Sequence, residues 1–312
     1  MKKKDIHSKK DKPIKTSKQN KTKIVLFAGN GDLPRIVAKE LQKQQRNFEI
    51  FCFIEDGNKN QQKNTKTSDK NHINNNYEFF VKNGLKPVKI SIADITDIIK
   101  KLKKVKAKEV VCCGGLTFQG LNFLKLLNWN IVKCLLKVLF VKVKGDNFLL
   151  SLANNILEGC GCKVIGVQEI IPDILCKKSD NINVRLCKKQ HFNDAKLGLE
   201  VLKHNSKYDI GQAIIVQNGR VLAIEGAEGT AELLKRSKNY KKSASVNSIL
   251  VKTIKTGQNM KFDVPAIGIE TFKLLENNGF DGIVVENGCV ILMDREKVKI
   301  FCQKHNIFLM VV

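Results

Sequence analysis

Aromatic residues are scarce in this sequence, and their scarcity bears on what the chain can bind. The 312 residues include one Trp and three Tyr. Proteins that hold single-stranded nucleic acid stack the bases on aromatic side chains set among basic residues. The sequence has no such aromatic and basic stretch. The formal net charge of +25 therefore does not by itself indicate a nucleic-acid partner, and we expect none.

Long uncharged apolar runs are also missing. Four lysines, at positions 125, 133, 137 and 142, interrupt the most apolar stretch, residues 121–143, which therefore predicts an amphipathic or buried helix and not a membrane span. No apolar segment follows the lysine-rich residues 1–22, so a signal peptide is not expected. With so few apolar residues, 1–22 are predicted to form a disordered basic tail. Such a tail can still contact anionic lipid.

The metal-binding patterns of cysteine and histidine are absent as well. Ten cysteines form no CxxC pair, and the five histidines are scattered. The spacing argues against a structural zinc site and indicates reduced thiols, as in a cytoplasmic protein.

What the sequence does contain is an alternation of apolar strands and amphipathic helices. KIVLFAGNGDLP, residues 23–34, predicts a buried strand, a Gly-x-Gly turn and a helix from about Pro34 to Gln44. FEIFCFI (48–54) predicts a second strand, and the polar residues 56–76 predict a flexible loop. A further strand, helix and strand follow. This order predicts a Rossmann-like domain with a parallel sheet over residues 23–143, in which the helical stretch 120–141 is a linker.

The second half, residues 144–312, is predicted to be a separate α/β domain that contains β-hairpins. IIVQNGRVLAI and IVVENGCVILM each alternate around Asn-Gly, the pair that favours a two-residue hairpin turn. The two could be an internal duplication or one good turn used twice. The other predicted elements are a helix from Asp146 to about Glu158, the strand KVIGV, and helices at 194–205 and 269–278, the last ended by Gly279.

The segment IEGAEGTAELLKR, residues 224–236, passes from a strand into a helix and concentrates polar residues there. Glu225 and Glu228 are candidate metal ligands and catalytic groups, and Gly229 and Thr230 are candidate phosphate contacts through free helix N–H groups. Thr230 is also the expected N-cap of the helix, and Arg236 lies in its last turn. An ordinary capped helix after a hairpin is the alternative, and the segment alone leaves both open.

Three other segments place polar groups at element ends, where α/β proteins bind ligands. Gly29, Gly31 and Asp32 follow the first strand. They lack the third glycine of a dinucleotide site, so a base or ribose contact is expected in place of nicotinamide, with Asp32 as a simple N-cap the alternative. Gly145 and Asp146 begin a helix. The last segment supplies Gln258, Asn259, Lys261 and Asp263, and Gln212 is a further hydrogen-bonding candidate.

Together these residues offer phosphate-binding N–H groups, cations and carboxylates without a Ser-His-Asp or Cys-His arrangement. That combination favours metal-assisted hydrolysis of a phosphoanhydride. Mg²⁺, or Mn²⁺, is the expected cofactor, held by Glu225, Glu228 and Asp263.

Four stretches, taken in order, resemble one family. They are GDLPRIVAKE, GDNFLLSLANNILEGCGCKVIGVQEI, DIGQAIIVQNGRVLAIEGAEGT with LLKR, and GQNMKFDVPAIGIET. They are similar to the UDP-2,3-diacylglucosamine pyrophosphatases of lipid A biosynthesis, the type unrelated to calcineurin-like phosphoesterases, and the resemblance covers residues 23–312. It implies a Rossmann-like N-terminal domain and Mg²⁺-dependent hydrolysis of UDP-diacylglucosamine to UMP and 2,3-diacylglucosamine 1-phosphate. It also implies a peripheral protein at the cytoplasmic face of a Gram-negative inner membrane, and a homodimer.

Two positions depart from the family's pattern. Ala231 and Asn259 stand where the family has Asp. An amide can offer an oxygen to a metal but cannot accept a proton as a general base. The alternative function is therefore a homologue that binds the lipid or nucleotide without turnover. In the active alternative Glu225, Glu228 or Asp263 supplies the missing carboxylate.

Overall fold

The computed structural model describes residues 22–53, 75–92, 94–115, 146–208, 210–241 and 247–312. Of residues 146–149 and Asn75 it describes the backbone alone. Residues 1–21 of the predicted basic tail, most of the predicted loop 56–76, the predicted linker helix 120–141 and Gly145 lie outside the described residues.

The first half builds an all-parallel sheet of five strands in the order β3-β2-β1-β4-β5. The strands are β1 (Ile24–Ala28), β2 (Phe48–Phe53), β3 (Val88–Ile90), β4 (Glu109–Cys113) and β5 (Lys163–Ile165). All five residues of β1 are buried, because a central parallel strand is covered by protein on both faces. The predicted Rossmann-like parallel sheet is confirmed.

The helices of this half are α1 (Leu33–Lys43), α2 (Asn75–Lys82), α3 (Ile95–Val105), α4 (Asp146–Gly159) and α5 (Val167–Ile170). Helix α1 buries Val37, Ala38 and Leu41, one apolar stripe at helical spacing. The predicted loop 56–76 was wrong at its end, because α2 begins at Asn75 and Asn76 is buried.

The predicted start of the second domain at residue 144 also needs correction. Helix α4 and strand β5 were assigned to the second domain, but β5 pairs with β4 as the fifth strand of the first sheet. The sequence pattern of alternating strands and helices continues across residue 144. The sequence therefore gives no signal for a domain boundary there.

The second half builds a mixed five-stranded sheet in the order β12-β10-β8-β6-β7. Its strands are β6 (Ala213–Gln217), β7 (Arg220–Ile224), β8 (Ser248–Lys252), β10 (Gly282–Val285) and β12 (Phe308–Val311), and β9 (Ala266–Ile267) pairs with β11 (Ile291–Leu292) in a separate small sheet. The helices are α6 (Lys189–Asn205), α7 (Gly229–Ser237), α8 (Ile269–Asn277) and α9 (Arg295–His305).

One of the two predicted hairpins exists. Strands β6 and β7 pair antiparallel around Asn218 and Gly219, and the buried carboxylate of Asp194 accepts hydrogen bonds from both turn N–H groups, at 2.8 and 2.6 Å. The second hairpin was wrong, because β10 pairs in parallel with β8 and β12 while β11 pairs with β9. Local alternation cannot distinguish a hairpin from a strand that leaves one sheet for another.

The small sheet of β9 and β11 joins the two halves. Ile291 of β11 belongs to the apolar core beneath β1, and Val264, Ala266 and Met293 pack against the same core. The second half therefore completes the core of the first. Among the described residues, no helix has the length and apolar character needed to cross a bilayer.

Candidate active site

The centre of the first sheet is where its strand order reverses. Strand β1 lies between β2 and β4, so the connections after β1 and β4 diverge at the carboxyl ends of the two strands. Ligands of open α/β sheets bind at such a point. Here Asn30 and Gly115 exchange two main-chain hydrogen bonds, of 2.7 and 3.0 Å, which hold the two loops together.

Glycine is required where these loops touch. A Cβ atom on Gly29 would lie 2.5 Å from the Gly115 carbonyl oxygen, and one on Gly114 would lie 2.5 Å from the Asn30 carbonyl oxygen. Gly114 also has φ of +89°, a left-handed conformation that other residues adopt at a cost. Gly29 therefore allows the loop after β1 to pack closely against the loop after β4.

A cavity of about 260 Å³ opens beside this crossing and takes its walls from both halves of the chain. The first half contributes Asn30, Gly31, Asp32, Leu33, Cys112, Cys113, Gly114, Gly115 and Val167, and the second contributes Met260, Lys261, Phe262, Asp263, Val264, Ala266, Ile291 and Met293. Two of the four predicted segments thus meet at one cavity. Its charged residues are Asp32, Lys261 and Asp263.

Cysteine is not the nucleophile this cavity offers. Burial raises the pKa of the Cys112 thiol to about 12 and holds that of Cys113 well above its usual range. The reactive form of cysteine is the thiolate. The nine described cysteines are all free.

Asp32 lies at the start of α1 but does not cap it with its side chain. Its carboxylate accepts a hydrogen bond from Nη1 of Arg35 at 3.0 Å. Asp32 is the N-cap residue of α1, as the alternative had it, although its side chain makes no capping hydrogen bond. Its carboxylate lies at the cavity.

The second wall is an irregular turn organised by Asn259. Its side-chain oxygen accepts from the main-chain N–H of Lys261 at 3.0 Å, and its carbonyl oxygen accepts from the N–H groups of Phe262 and Asp263. These bonds place Lys261 and Asp263 on the cavity. Asn259 is exposed and supports the turn through these local bonds.

Two amide side chains hold the carboxylate of Asp263. Gln212 donates to Oδ2 at 3.3 Å, and Gln258 donates to the same oxygen. Asp263 is exposed at the cavity, yet desolvation by the neighbouring protein still raises its pKa, while Lys255, the two amides and Lys252 oppose the increase. A carboxyl group with a raised pKa is better suited to accept a proton near neutral pH than an ordinary aspartate.

Behind Asp263 lies a buried polar chain that ends in a lysine. The main-chain N–H of Gln212 donates to one oxygen of Glu225 at 2.7 Å, and the hydroxyl of Thr230 donates to the other at 2.5 Å. The ammonium group of Lys252 donates to the same hydroxyl at 2.7 Å. Burial lowers the pKa of Lys252, whereas Glu225 and Asp263 raise it.

The helix after EGAEGT begins one residue earlier than its predicted cap. Glu228 is the N-cap of α7 and Thr230 is its second residue, so Thr230 as N-cap was wrong, because its hydroxyl is bonded to Glu225. Arg236 donates to Glu228 at 2.7 and 3.0 Å and to the Ile224 carbonyl at 2.6 Å. The main-chain N–H of Glu228 and the Arg236 guanidinium hold the pKa of that carboxyl below its usual range.

The predicted site residues therefore fall into three groups. Gly31, Asp32, Lys261 and Asp263 line the cavity. Gln212, Gln258, Glu225 and Thr230 form the hydrogen-bonded chain behind Asp263. The others have different places: Gly29 packs against Gly115, Asn259 organises the turn before Asp263, Glu228 and Arg236 pair with each other, Gly229 begins α7, Asp146 begins α4, and Gly145 lies outside the described residues.

Sequence reasoning missed three contributors. Gly114 and Gly115 line the cavity, and their signal was a Gly-Gly pair directly after an apolar strand. Lys252 ends the strand SILVK and is 7% exposed. A lysine at the end of a buried strand usually reaches solvent, so nothing local indicated its bond to Thr230.

The three predicted metal ligands differ in whether their carboxylates are available to bind a divalent cation. Both oxygens of Glu225 accept protein hydrogen bonds, and Glu228 is paired with Arg236. Asp263 is the predicted ligand that lines the cavity. In the part of the chain that the structure describes, no three His, Cys, Asp or Glu side chains are grouped to hold a metal by themselves. Metal binding by Glu225 and Glu228 stays a prediction.

Comparisons with known proteins cover almost the whole chain. The family descriptions "LpxI N-terminal domain" and "LpxI C-terminal domain" match residues 23–174 and 179–310. A protein of Caulobacter vibrioides with the name UDP-2,3-diacylglucosamine pyrophosphatase LpxI is 28% identical over 215 residues, which are 67% of this chain and 76% of that protein. The junction between the two family domains falls after β5, in agreement with the sheet topology.

Proposed function

The chain belongs to the LpxI family, and from that membership we propose that it hydrolyses the diphosphate of UDP-2,3-diacylglucosamine to UMP and 2,3-diacylglucosamine 1-phosphate in lipid A biosynthesis. The observation that carries the proposal is the shared cavity, in which Asp32 from one half faces the same space as Lys261 and Asp263 from the other. A site between two domains can contact both ends of a long substrate.

The residues of the cavity have separate roles in the proposed reaction. Lys261 offsets the negative charge of the diphosphate, and Gly31 and Asp32 hold the ligand from the first half. Asp263 is the group we assign to accept a proton from the attacking water, since its pKa is raised and it lies on the cavity. Gln212 and Gln258 fix its carboxylate, and the chain of Glu225, Thr230 and Lys252 fixes Gln212.

Mg²⁺ or Mn²⁺ is proposed as the cofactor. Mg²⁺ in proteins is commonly bound by one or two carboxylates together with substrate phosphates, and the carboxylates that line this cavity are those of Asp32 and Asp263. When bound, the ion would neutralise phosphate charge. The expected result is loss of UMP release on treatment with a chelator and its return on addition of Mg²⁺ or Mn²⁺.

We also propose that the protein associates peripherally with the cytoplasmic face of a Gram-negative inner membrane, where its lipid substrate lies, and that it forms a homodimer. The net charge of +25 supports attraction to anionic lipid. Co-sedimentation with vesicles containing anionic lipid, and its loss at high salt, tests the first proposal. Light scattering on the purified protein tests the second.

The reaction itself is tested by incubating the purified protein with UDP-2,3-diacylglucosamine and Mg²⁺ and measuring UMP. UMP release by the wild-type chain, and its loss in Asp263→Asn, is the expected result. Asp281→Asn is a matched control, because Asp281 lies outside the cavity lining. Equal activity of Asp263→Asn and the wild type would remove Asp263 from the mechanism.

Binding without turnover was the alternative, motivated by Ala231 and Asn259. The comparisons do not support it, since the relative is named for the pyrophosphatase reaction. It remains distinguishable by experiment. Substrate binding with no UMP from the wild-type chain, together with UMP from a variant carrying Ala231→Asp and Asn259→Asp, would establish the alternative.

A further inference from the structure

Asn76, the second residue of α2, packs behind the turn that forms the first wall of the cavity. Its Nδ2 group donates to the carbonyl oxygens of Gly29 at 2.6 Å and Gly31 at 2.9 Å. Its Oδ1 atom accepts from Nε of Arg35 at 2.6 Å. The residue is 7% exposed and is not part of the cavity lining.

These bonds commit the Asn76 amide to the protein. A side-chain amide has two N–H donors, and both are used on the turn. In a trans peptide the carbonyl of one residue and the N–H of the next point in opposite directions. Bonding of the Gly31 carbonyl to Asn76 therefore turns the Asp32 N–H to the opposite side of the turn, and fixes a peptide unit of the cavity wall.

Arg35 connects Asn76 to the side chain of Asp32. Its guanidinium bonds Asn76 through Nε and Asp32 through Nη1, and it lies 4.7 Å from the ring centre of Phe79 on α2. Gly31 has φ of +89° and open space around the position of a Cβ atom. A turn built on such a glycine has many accessible conformations unless other groups restrict it.

We propose that Asn76 is a positioning residue that holds the Gly29–Asp32 turn in its ligand-binding conformation, an inference that rests on the proposed function for the identity of the ligand. Asn76 acts through the turn and does not touch the substrate. Without its two donors the turn must be ordered by the ligand at each binding event, and this ordering weakens binding.

The decisive variant is Asn76→Asp. It keeps the size of the side chain and the acceptor for Arg35, but it removes both N–H donors and places a carboxylate against two carbonyl oxygens. We expect kcat/KM for UDP-2,3-diacylglucosamine to fall roughly 10- to 100-fold, the scale of a small misplacement in a binding site. Most of the change should be in KM.

Asn83→Asp is the matched control. Asn83 also donates its side-chain amide to a main-chain carbonyl, that of Phe79 at 2.7 Å, but it does so on the exposed surface. Its KM should equal that of the wild type. A lower melting temperature of Asn76→Asp with an unchanged KM would show a purely structural role and overturn the proposal.

Amide hydrogen exchange separates this inference from the proposed reaction. The N–H groups of residues 29–33 should exchange faster in Asn76→Asp than in the wild type and in Asn83→Asp. Unchanged exchange there overturns the positioning role whether or not UMP is released. Absence of UMP release by the wild-type protein overturns the proposed reaction. In that case the affinity for UMP is compared between Asn76→Asp and the wild type, and an equal affinity overturns the positioning role. If Asn76→Asp does not fold, Asn76→Ser, which keeps one donor, must show a KM above that of the wild type and of Asn83→Asp, and an unchanged KM overturns the proposal.

Discussion

The ammonium group of Lys252 and the hydroxyl of Thr230 are 2.7 Å apart, with the lysine as donor and the threonine as acceptor. The same hydroxyl donates to Glu225. One threonine thus connects a buried cation to a buried anion, and that anion accepts the main-chain N–H of Gln212, whose side-chain amide donates to Asp263.

Replacing Thr230 with valine removes both bonds at nearly constant volume. Lys252 and Glu225 then each lose a partner in a buried position, and unfolding free energy should fall by about 1–3 kcal/mol. Urea denaturation measures the change, and UMP release should fall with it. Thr271→Val is the control, since that hydroxyl lies 3.5 Å from the Gly268 N–H, at the limit of a hydrogen bond. Equal losses in the two variants would contradict the role of Thr230.

Gly114→Ala should be far more harmful than Gly115→Ala. At Gly114, left-handed backbone strain alone costs about 1–3 kcal/mol, and the new methyl group would meet the Asn30 carbonyl at 2.5 Å. At Gly115 no atom lies within 4 Å of a Cβ position, so a change within about 0.5 kcal/mol is expected. Thermal melting of the two variants checks the contrast, and similar melting temperatures would show that the loops can separate.

The raised pKa of Asp263 predicts the acid side of the activity profile. A carboxylate that accepts a proton loses activity when it is protonated, so the decline should occur at higher pH than for an ordinary aspartate. Gln258→Leu removes a hydrogen bond that lowers this pKa. The activity of this variant should therefore decline at a still higher pH. Rate measurements across pH test both expectations. A decline centred near the ordinary aspartate value of 3.8 would argue against Asp263 as the base.

The same shift makes a stability prediction of defined sign. A carboxyl group whose pKa is raised in the folded state stabilises the fold below its unfolded pKa, and this contribution is lost as pH rises through the folded pKa. Asp263→Asn should therefore unfold at the same or higher urea concentration than the wild type at pH 7. A clear loss of stability at that pH would contradict the assigned desolvation.

Glu228 should behave in the opposite way. Its pKa lies below the ordinary 4.5, so its contribution to stability is present above that value and is lost as pH falls through the folded pKa. Glu228→Gln should thus reduce the difference in unfolding free energy between pH 7 and pH 3. Arg236→Met should reproduce part of the effect. An unchanged pH dependence in both variants would mean that the surface pair makes no contribution.

The sequence predicted what depends on local pattern. The buried strands of the first sheet, several amphipathic helices and the turn at Asn218-Gly219 were recognised, because each follows from residue spacing or turn chemistry. The second hairpin and the start of the second domain failed, since both are decided by which strand a segment joins in space. For the same reason Lys252 and Asn76 escaped notice: their partners lie 22 and 45 to 47 residues away.

Ile291 lies in the apolar core beneath β1, and this position limits how the chain could be cut into separate fragments. A fragment ending at residue 174 would keep its whole parallel sheet, yet it would expose the apolar surface that Ile291, Val264, Ala266 and Met293 cover in the intact chain. Such a fragment should aggregate or recruit its missing half when the two are expressed together. We therefore expect the two family domains, although recognisable apart in sequence, to unfold in one transition.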